Sequence, residues 1–589
     1  MSSCKDFWKY VYYKRNILIF LLTPLLMCPL LAVNYESKEA RCGYVVGILL
    51  VLLITQAVPL PVVGLIPLLL LPLLEIMTMA EVCEYYMVEY GILFISVLLM
   101  ASAVKNYGLH RRIALRALLL AGSDPKWLLL ALMAVVGFFS MWILNLALVS
   151  MMLPIVSALV DQLAASDKDA SPDDENRSCQ DIPIEDLSLK ADDAGDGMKR
   201  ENITFPREGH IVKSTANLTE TCIPKEPTYS NEDLKTCFNL GLIYSTTIGG
   251  AGSMVGTVTQ ILMNTYLEIY YGPEAKVNFG DWVLFSAPNQ LVSLILGWAW
   301  LSLFYLDLKT SVVRCCRRKA KATKKTGIVR ILRREYEKLG PIKWAEKMII
   351  VVFLVLIVIW FFEDPNFMPG WSSWFMPGYV QVSTVTAGVA LICYALPGEK
   401  PSINIRDDRK PYVGLLEWKS SESSVPWGIV LYLGGLLSTV QAMKVTGLTS
   451  SIEDQFAPLK ELSPWLVMLI VTVVCSILTE FMTSSVIIAI VIPVLTQTAL
   501  AQGIHPYYLV MSMTLSINFA FCLPAGSLVN ALVISFESVT TFQMIKTGVM
   551  MNVICLTVVN ISMNTYGWWL LGLDEVPDWA LAANGTSAG

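Results

Sequence analysis

Within Thr479–Pro493, TEFMTSSVIIAIVIP, a carboxylate and four hydroxyls (Thr479, Glu480, Thr483, Ser484 and Ser485) run straight into an apolar stretch that reads as the inside of a membrane helix. Apolar surroundings make unpaired polar groups costly, so such a cluster at membrane depth points to a functional site. In the competing reading the hydroxyls bond back to helical carbonyls, as Ser and Thr do routinely. Glu480 has two readings of its own: a buried partner for a cation or proton, or an acceptor for the backbone of a neighbouring helix.

Outward from this stretch, the 589 residues are 55% hydrophobic and only 15% charged, with mean hydropathy +0.57. Soluble domains carry about 25% charge. Apolar runs recur near 16–33, 43–58, 59–75, 90–104, 282–306, 348–362, 379–395 and 426–442, and a last one ends near 563. Their lengths predict an all-α polytopic membrane protein. Three histidines lie far apart and no Cys/His cluster accompanies them. Neither a metal site nor a phosphate-binding loop, a nucleophile motif or a nucleic-acid signature is visible, so an enzyme is excluded and no cofactor is expected.

Two interrupted segments follow one rule. In 127–163 the run is broken by SMWILNLALVSMMLP (Ser140–Pro154), and in 465–500 by the opening stretch; each has a proline at its exit, Pro154 and Pro493. Each is followed by a span broken by glycine, IGGAGSMVGTVTQ (Ile248–Gln260) and CLPAGSLVN (Cys522–Asn530). Matching broken segments in two halves of a membrane chain point to a transporter binding site at the repeat interface. With the kinked segments as re-entrant hairpins, about eleven helices cross fully and the two halves are inverted repeats.

Charge sets the expected orientation. Basic clusters at the N-terminus (Lys5, Lys9, Lys14, Arg15), at Lys105–Arg116 and in Asp307–Lys347, with 14 Lys/Arg against 4 Asp/Glu, belong in the cytoplasm. That puts the N-terminus inside and the C-terminus outside, where the sequon at Asn584 would be glycosylated. Asp161–Lys235 holds 18 acidic and 9 basic residues with little periodicity and reads as a disordered loop. The expected organisation is 1–165 with an inward hairpin, 166–235 as the acidic loop, 236–306 with a broken helix, and 307–347 as a basic linker. Then 348–565 holds an outward hairpin near 465–500 and a broken helix near 506–536, and 566–589 is an extracellular tail.

These landmarks, together with Gly108-Leu-His-Arg-Arg-Ile-Ala-Leu, Tyr244-Ser-Thr-Thr-Ile-Gly-Gly and Leu573-Asp-Glu-Val-Pro-Asp-Trp-Ala, resemble the divalent-anion:sodium symporter family. That family comprises the sodium-coupled dicarboxylate, citrate and sulfate carriers. The likeness runs over nearly the whole chain. It implies a plasma-membrane carrier of a small anionic metabolite, Na+ as coupling ion, and a homodimer whose transport part shifts elevator-like against a scaffold.

The family's hairpin tips carry Ser-Asn-Thr motifs that contact substrate carboxylates and sodium. Here the first tip keeps Ser140 and Asn145, with Leu144 and Leu146 where the Ser and Thr belong; the second reads Thr483-Ser484-Ser485. The first broken helix keeps Gly256 and Thr257, with Gln260 at a usual Asn position, and the second reads Ser527-Leu528-Val529-Asn530 without the family's prolines. The resemblance thus assigns substrate binding to Asn145, Thr257, Thr483, Ser484, Ser485, Ser527 and Asn530, and sodium binding to Ser140, Asn145, Gly256, Thr479, Ser484 and Gly526.

None of the four breaks contains Lys or Arg, so an anion would rest on hydroxyls, amides and helix N-termini. Leucine offers sodium only its backbone carbonyl, so a lopsided site is expected, stronger at the second tip. Three functions stay open: a sodium-coupled di- or tricarboxylate carrier, a sodium-independent exchanger or sulfate carrier, and a non-transporting paralogue acting as partner or sensor.

Overall fold

The computed structural model describes residues 2–33, 35–168, 231–306, 326–364, 368–376, 378–400, 413–449, 461–536 and 539–581. The chain is helical throughout these residues, apart from one isolated bridge between Pro397 and Gly414. Asn584 and most of the acidic segment lie outside them.

Five helices open the chain: α1 (Ser2–Val33), α2 (Lys38–Thr55), α3 (Leu60–Leu73), α4 (Met79–Glu84) and α5 (Glu89–Asn106). Their starts follow local chemistry. Ser37 accepts from the Ala40 N–H, and Thr78 and Glu81 form a reciprocal capping box. An amphipathic helix, α6 (Leu109–Ala121), leads to the first hairpin, α7 (Pro125–Ser140) and α8 (Asn145–Lys168). The first broken helix is α9 (Asn231–Gly250) and α10 (Val258–Tyr271), followed by α11 (Phe279–Tyr305). The acidic segment is therefore narrower than expected from 166–235, because α8 runs to Lys168 and α9 starts at Asn231.

The basic linker is not wholly loop either. It contains α12 (Thr326–Lys338), whose apolar positions recur at helical spacing. Then come α13 (Trp344–Phe361), α14 (Val382–Ala395), α15 (Trp418–Ser424) and α16 (Trp427–Thr446). The second hairpin is α17 (Pro464–Thr479) and α18 (Ser484–Ala501), and the second broken helix is α19 (Pro506–Ser516) and α20 (Leu528–Ser535), before α21 (Thr541–Ser562).

The hairpin prolines do not end their helices. Pro154 and Pro493 lie inside α8 and α18, as membrane helices tolerate when neighbours satisfy the freed carbonyls. Arms α7 and α17 have 16 residues each, a length of about 24 Å that falls short of the hydrocarbon core. Eight helical segments among the described residues are long and apolar enough to cross a membrane.

Contacts recur between the halves. In the first, α7 and α8 pack on α9, and α11 packs on α7 and α9; in the second, α17 and α18 pack on α19, and α21 packs on α17 and α19. The distal helix of each break reaches across, α10 to α18 and α20 to α8. The other helices form a second group, with α3 against α16, α1 against α2, and α14 and α15 against α5. Close approach sets the α3–α16 seam: a Cβ on Gly64 would sit 2.5 Å from the Tyr432 Cα, and Gly435 meets the Gly64 carbonyl equally closely.

Candidate functional site

The four interruptions meet. Thr257, at the start of α10, places its hydroxyl 3.1 Å from Asn518 Oδ1 in the second break and also contacts Gln260. The second tip joins the same region, since Ser484 Oγ donates to the Ile517 carbonyl at 2.7 Å. The first tip lies against the first break: a Cβ on Gly250 would fall 2.6 Å from the Asn145 amide, and one on Gly256 would fall 2.3 Å from the Gly250 carbonyl. Gly526 is held as tightly, with the Thr479 carbonyl 2.6 Å from its would-be Cβ. Both glycines thus serve close backbone approach.

At the first tip the polar groups are spent on one another. Ser140 is fully buried, its Oγ 2.6 Å from Asn145 Oδ1 and 2.5 Å from the Thr246 carbonyl. A hydroxyl has one proton and these two contacts use it. Ser253 Oγ donates to the Met141 carbonyl, while Trp282 Nε1 and Ser286 Oγ donate to the carbonyls of Ala251 and Gly252. Trp142 is 6% exposed, stacked on Trp360 of α13 at 5.7 Å with Phe353 edge-on. Trp142 and Ile143 are thus packed away, while Leu144, Asn145 and Leu146 stay partly exposed.

At the second tip the polar groups divide. Thr479 is fully buried and bonds back to the Cys475 and Ser476 carbonyls. Asn530 spans its own break, donating to the carbonyls of Ala520 and Leu523 at 2.9 Å. These two are braces, so the back-bonding reading holds for Thr479. Thr483 and Ser527, with Gly526, line a cavity of about 460 Å³ whose opposite wall includes Gln56, Pro59 and Asn16. Ser527 also caps α20, its Oγ accepting the Val529 N–H at 3.2 Å, so that the N-terminal end of α20 faces the cavity. No ionisable side chain lines it. Ser485 and Thr483 stand beside the Tyr432 phenol of α16.

Glu480 resolves toward the second of its two readings. Oε1 accepts the N–H groups of Phe521 and Cys522 at 2.9 and 3.0 Å, Oε2 those of Cys522 and Leu523 at 3.0 and 2.9 Å, and Asn552 Nδ2 donates to Oε1 at 2.7 Å. Every partner is a donor, and the carboxylate fills the amide nest of the second break. That nest is thereby closed to any external anion. The break itself starts earlier than the expected 522–530: α19 ends at Ser516 and α20 begins at Leu528. The three amides that Glu480 holds are the physical reason, since they are withdrawn from the helical ladder.

Sequence reasoning missed Asn518, Asn552, Tyr432 and Gln56. Asn552 and Tyr432 sit in unremarkable helical stretches, and Asn518 in the part of the second break ahead of its glycine, so none of the three gave a signal. Gln56 had one, because it stands before Val58-Pro59 and adopts φ 48°, a left-handed conformation unusual for a side chain of its kind.

Comparison with known proteins identifies the family. A family model, the sodium:sulfate symporter transmembrane region, matches residues 7–573. The Na(+)/dicarboxylate cotransporter 3 of Mus musculus is 33% identical, over 100% of this chain and 98% of its own. The Na(+)/citrate cotransporter of Rattus norvegicus is also 33% identical, over 98% of this chain and 99% of its own. The YdaH transporter structure from Alcanivorax borkumensis superposes with TM-score 0.48 at 12% identity, over 83% of this chain and 88% of that one. The chain belongs to the sodium:sulfate symporter family, a family of membrane transporters and not of enzymes.

Proposed function

We propose that this protein is a secondary carrier of di- or tricarboxylates of the succinate or citrate class in the plasma membrane, its N-terminus cytoplasmic and its C-terminus outside. The carrying observation is the uncharged cavity at the second tip, where Ser527 and the N-terminal end of α20 present donors to a space of about 460 Å³ and Thr483 forms part of the wall, its hydroxyl turned toward Tyr432. Donors with partial positive charge suit a carboxylate, and the volume falls in the range of small-molecule sites. Because Asn16 directly follows the basic Lys14–Arg15 pair in α1 and Gln56 caps the C-terminal end of α2, the next helix, this orientation makes the cavity inward-facing. The named relatives carry dicarboxylate or citrate with sodium, which supports both solute class and coupling. The grouping of helices into two packed sets supports an elevator-like shift of one against the other, and the family resemblance supports a homodimer.

The first tip favours a second reading of the coupling. Leu144 and Leu146 bring no side-chain oxygen, and the two that remain, on Ser140 and Asn145, already bond each other, so a cation there meets few side-chain oxygens besides backbone carbonyls. In this reading the carrier exchanges anions with weak or no sodium dependence. Uptake of labelled succinate, citrate and sulfate into expressing cells, with choline replacing sodium, separates the two. Carboxylate uptake that collapses in choline supports symport, uptake that persists supports exchange, and no uptake of any of them despite surface expression refutes both. In the double variant Leu144→Ser, Leu146→Thr, sodium dependence is expected to rise; unchanged dependence and affinity would sink this account of the first tip.

A further inference from the structure

On the face that carries the basic segments, a second cavity of about 420 Å³ opens between α6, α8 and α12. Its walls are apolar, chiefly Leu115, Met151, Ile155, Leu159 and Leu332, with Ala158 at the open side. Its polar features are few and placed together. His110 lines it, is 6% exposed, and its Nδ1 has no hydrogen-bond partner. Arg111 stands at the mouth, its side chain 47% exposed, with one nitrogen 3.1 Å from Glu335, which Lys338 also holds at 2.7 Å. A guanidinium has five N–H donors, and this contact occupies one of its two NH2 groups, so an anion can join Arg111 without displacing Glu335.

The surroundings are complementary to negative charge. Arg330, Arg333, Arg334 and Lys338 of α12 are all exposed, against the carboxylates Glu335 and Glu337. The plate that bears them is fixed: Arg112 of α6 donates to the carbonyls of Gly340 and Leu339 at 2.7 and 3.0 Å and pairs with the buried Glu346 at 2.9 Å. A long apolar slot with a cation and a buried, unpartnered imidazole nitrogen at one end matches an acyl chain carrying an anionic, hydrogen-bonding head.

We propose that this cavity is a binding site for an anionic glycerophospholipid of the bilayer, one acyl chain lying between α8 and the α6–α12 plate and the phosphate meeting Arg111. The occupant is taken from the inner leaflet, which rests on the orientation given above. Because one wall is hairpin helix α8 and the other two are braced by Arg112, the lipid couples the first hairpin to the basic plate.

The full-length protein is purified and reconstituted into nanodiscs of phosphatidylcholine, with or without phosphatidylglycerol of the same acyl chains, and retained lipid is counted by native mass spectrometry. Both leaflets then contain both lipids, so the outcome does not depend on orientation or on transport. The wild type is expected to retain phosphatidylglycerol in preference to phosphatidylcholine. Arg111→Gln is expected to retain it roughly tenfold less tightly through loss of charge-assisted contacts. Ala158→Trp, which fills the slot, is expected to lose it. Equal retention of the two lipids by the wild type, or undiminished retention by Arg111→Gln, overturns the proposal. Arg111 is at the surface, so its variant keeps the test decisive even where Ala158→Trp fails to fold.

Discussion

The two hairpin tips occupy corresponding places in the two halves and have opposite fates. At the first, Ser140 and Asn145 close on each other, Ile143 is 4% exposed, and Trp142 is stacked into a sleeve of α13 and α11 aromatics. At the second, Phe481, which stands where Trp142 stands in the first, is 59% exposed, and Thr483 faces a cavity. The buried aromatic at Trp142 wedges the first tip into its neighbours, and the exposed Phe481 leaves the second without that anchor. The breaks differ in the same sense: side-chain donors hold carbonyls of the first, whereas a carboxylate holds amides of the second.

The contrast is most easily broken at Glu480. Glu480→Ala orphans three buried backbone N–H groups, which costs about 5 kcal/mol or more at 1–3 kcal/mol each. It is expected to abolish folded protein in fluorescence-detected size exclusion, with Glu480→Gln intermediate. A monodisperse Glu480→Ala protein of normal thermal midpoint would mean that the second break does not depend on the carboxylate.

Truncating the paired aromatics comes next. Trp142→Ala is expected to cost about 3–5 kcal/mol, as for buried aromatics generally. Phe481→Ala should stay within about 0.5 kcal/mol, as for surface sites. Equal shifts in thermal midpoint would erase the distinction between the two tips.

The cavity side of the comparison is sharpened by transport kinetics. Thr483→Val with Ser527→Ala removes two hydroxyls at the cavity wall, worth about 0.5–1.5 kcal/mol each. The KM for carboxylate should rise about tenfold with protein levels unchanged. Thr257→Val, whose hydroxyl faces Asn518 and Gln260, should leave KM within about twofold. A reversed order would place the solute at the first break.

The smallest expected effect lies beyond α13, on which the first tip leans. Burial and the neighbouring Glu89 push the Glu363 carboxyl up to about 7 from an ordinary 4.5, with Asp364 adding to the rise and the Val382 N–H and Lys276 opposing it. Lys276 is itself held by Glu89 and Glu268 at 2.9 and 3.0 Å. The folded state therefore binds this proton more tightly than the unfolded state. Between pH 4.5 and about 7 stability falls as pH rises, and above about 7 the contribution is flat. The thermal midpoint should climb modestly from pH 7.5 to 6, and Glu363→Gln should remove that climb; an identical profile in the variant would exclude Glu363 as its source.

Much of this was legible beforehand. The apolar runs, the two kinked segments and the two glycine-broken spans fell where the helices stop and restart, because lipid demands long apolar helices and Gly or clustered hydroxyls interrupt them locally. The difference in composition between the tips was legible too, from Leu144 and Leu146 against Thr483 and Ser485. The extent of the second break was not, since it depends on a carboxylate 41 residues away that claims three amides. Helix α12 was hidden within a run of charge, where period and not hydrophobicity was the signal.

By itself, then, the sequence determined that the chain lives in a membrane and where its helices are interrupted, for these follow from residues close together in the chain. Only the tertiary structure decided which polar groups are spent and which are free. Ser140, Thr479 and Asn530 went to bracing and Thr483 and Ser527 to a cavity, because in a water-poor interior each donor and acceptor takes whatever partner the fold sets opposite it.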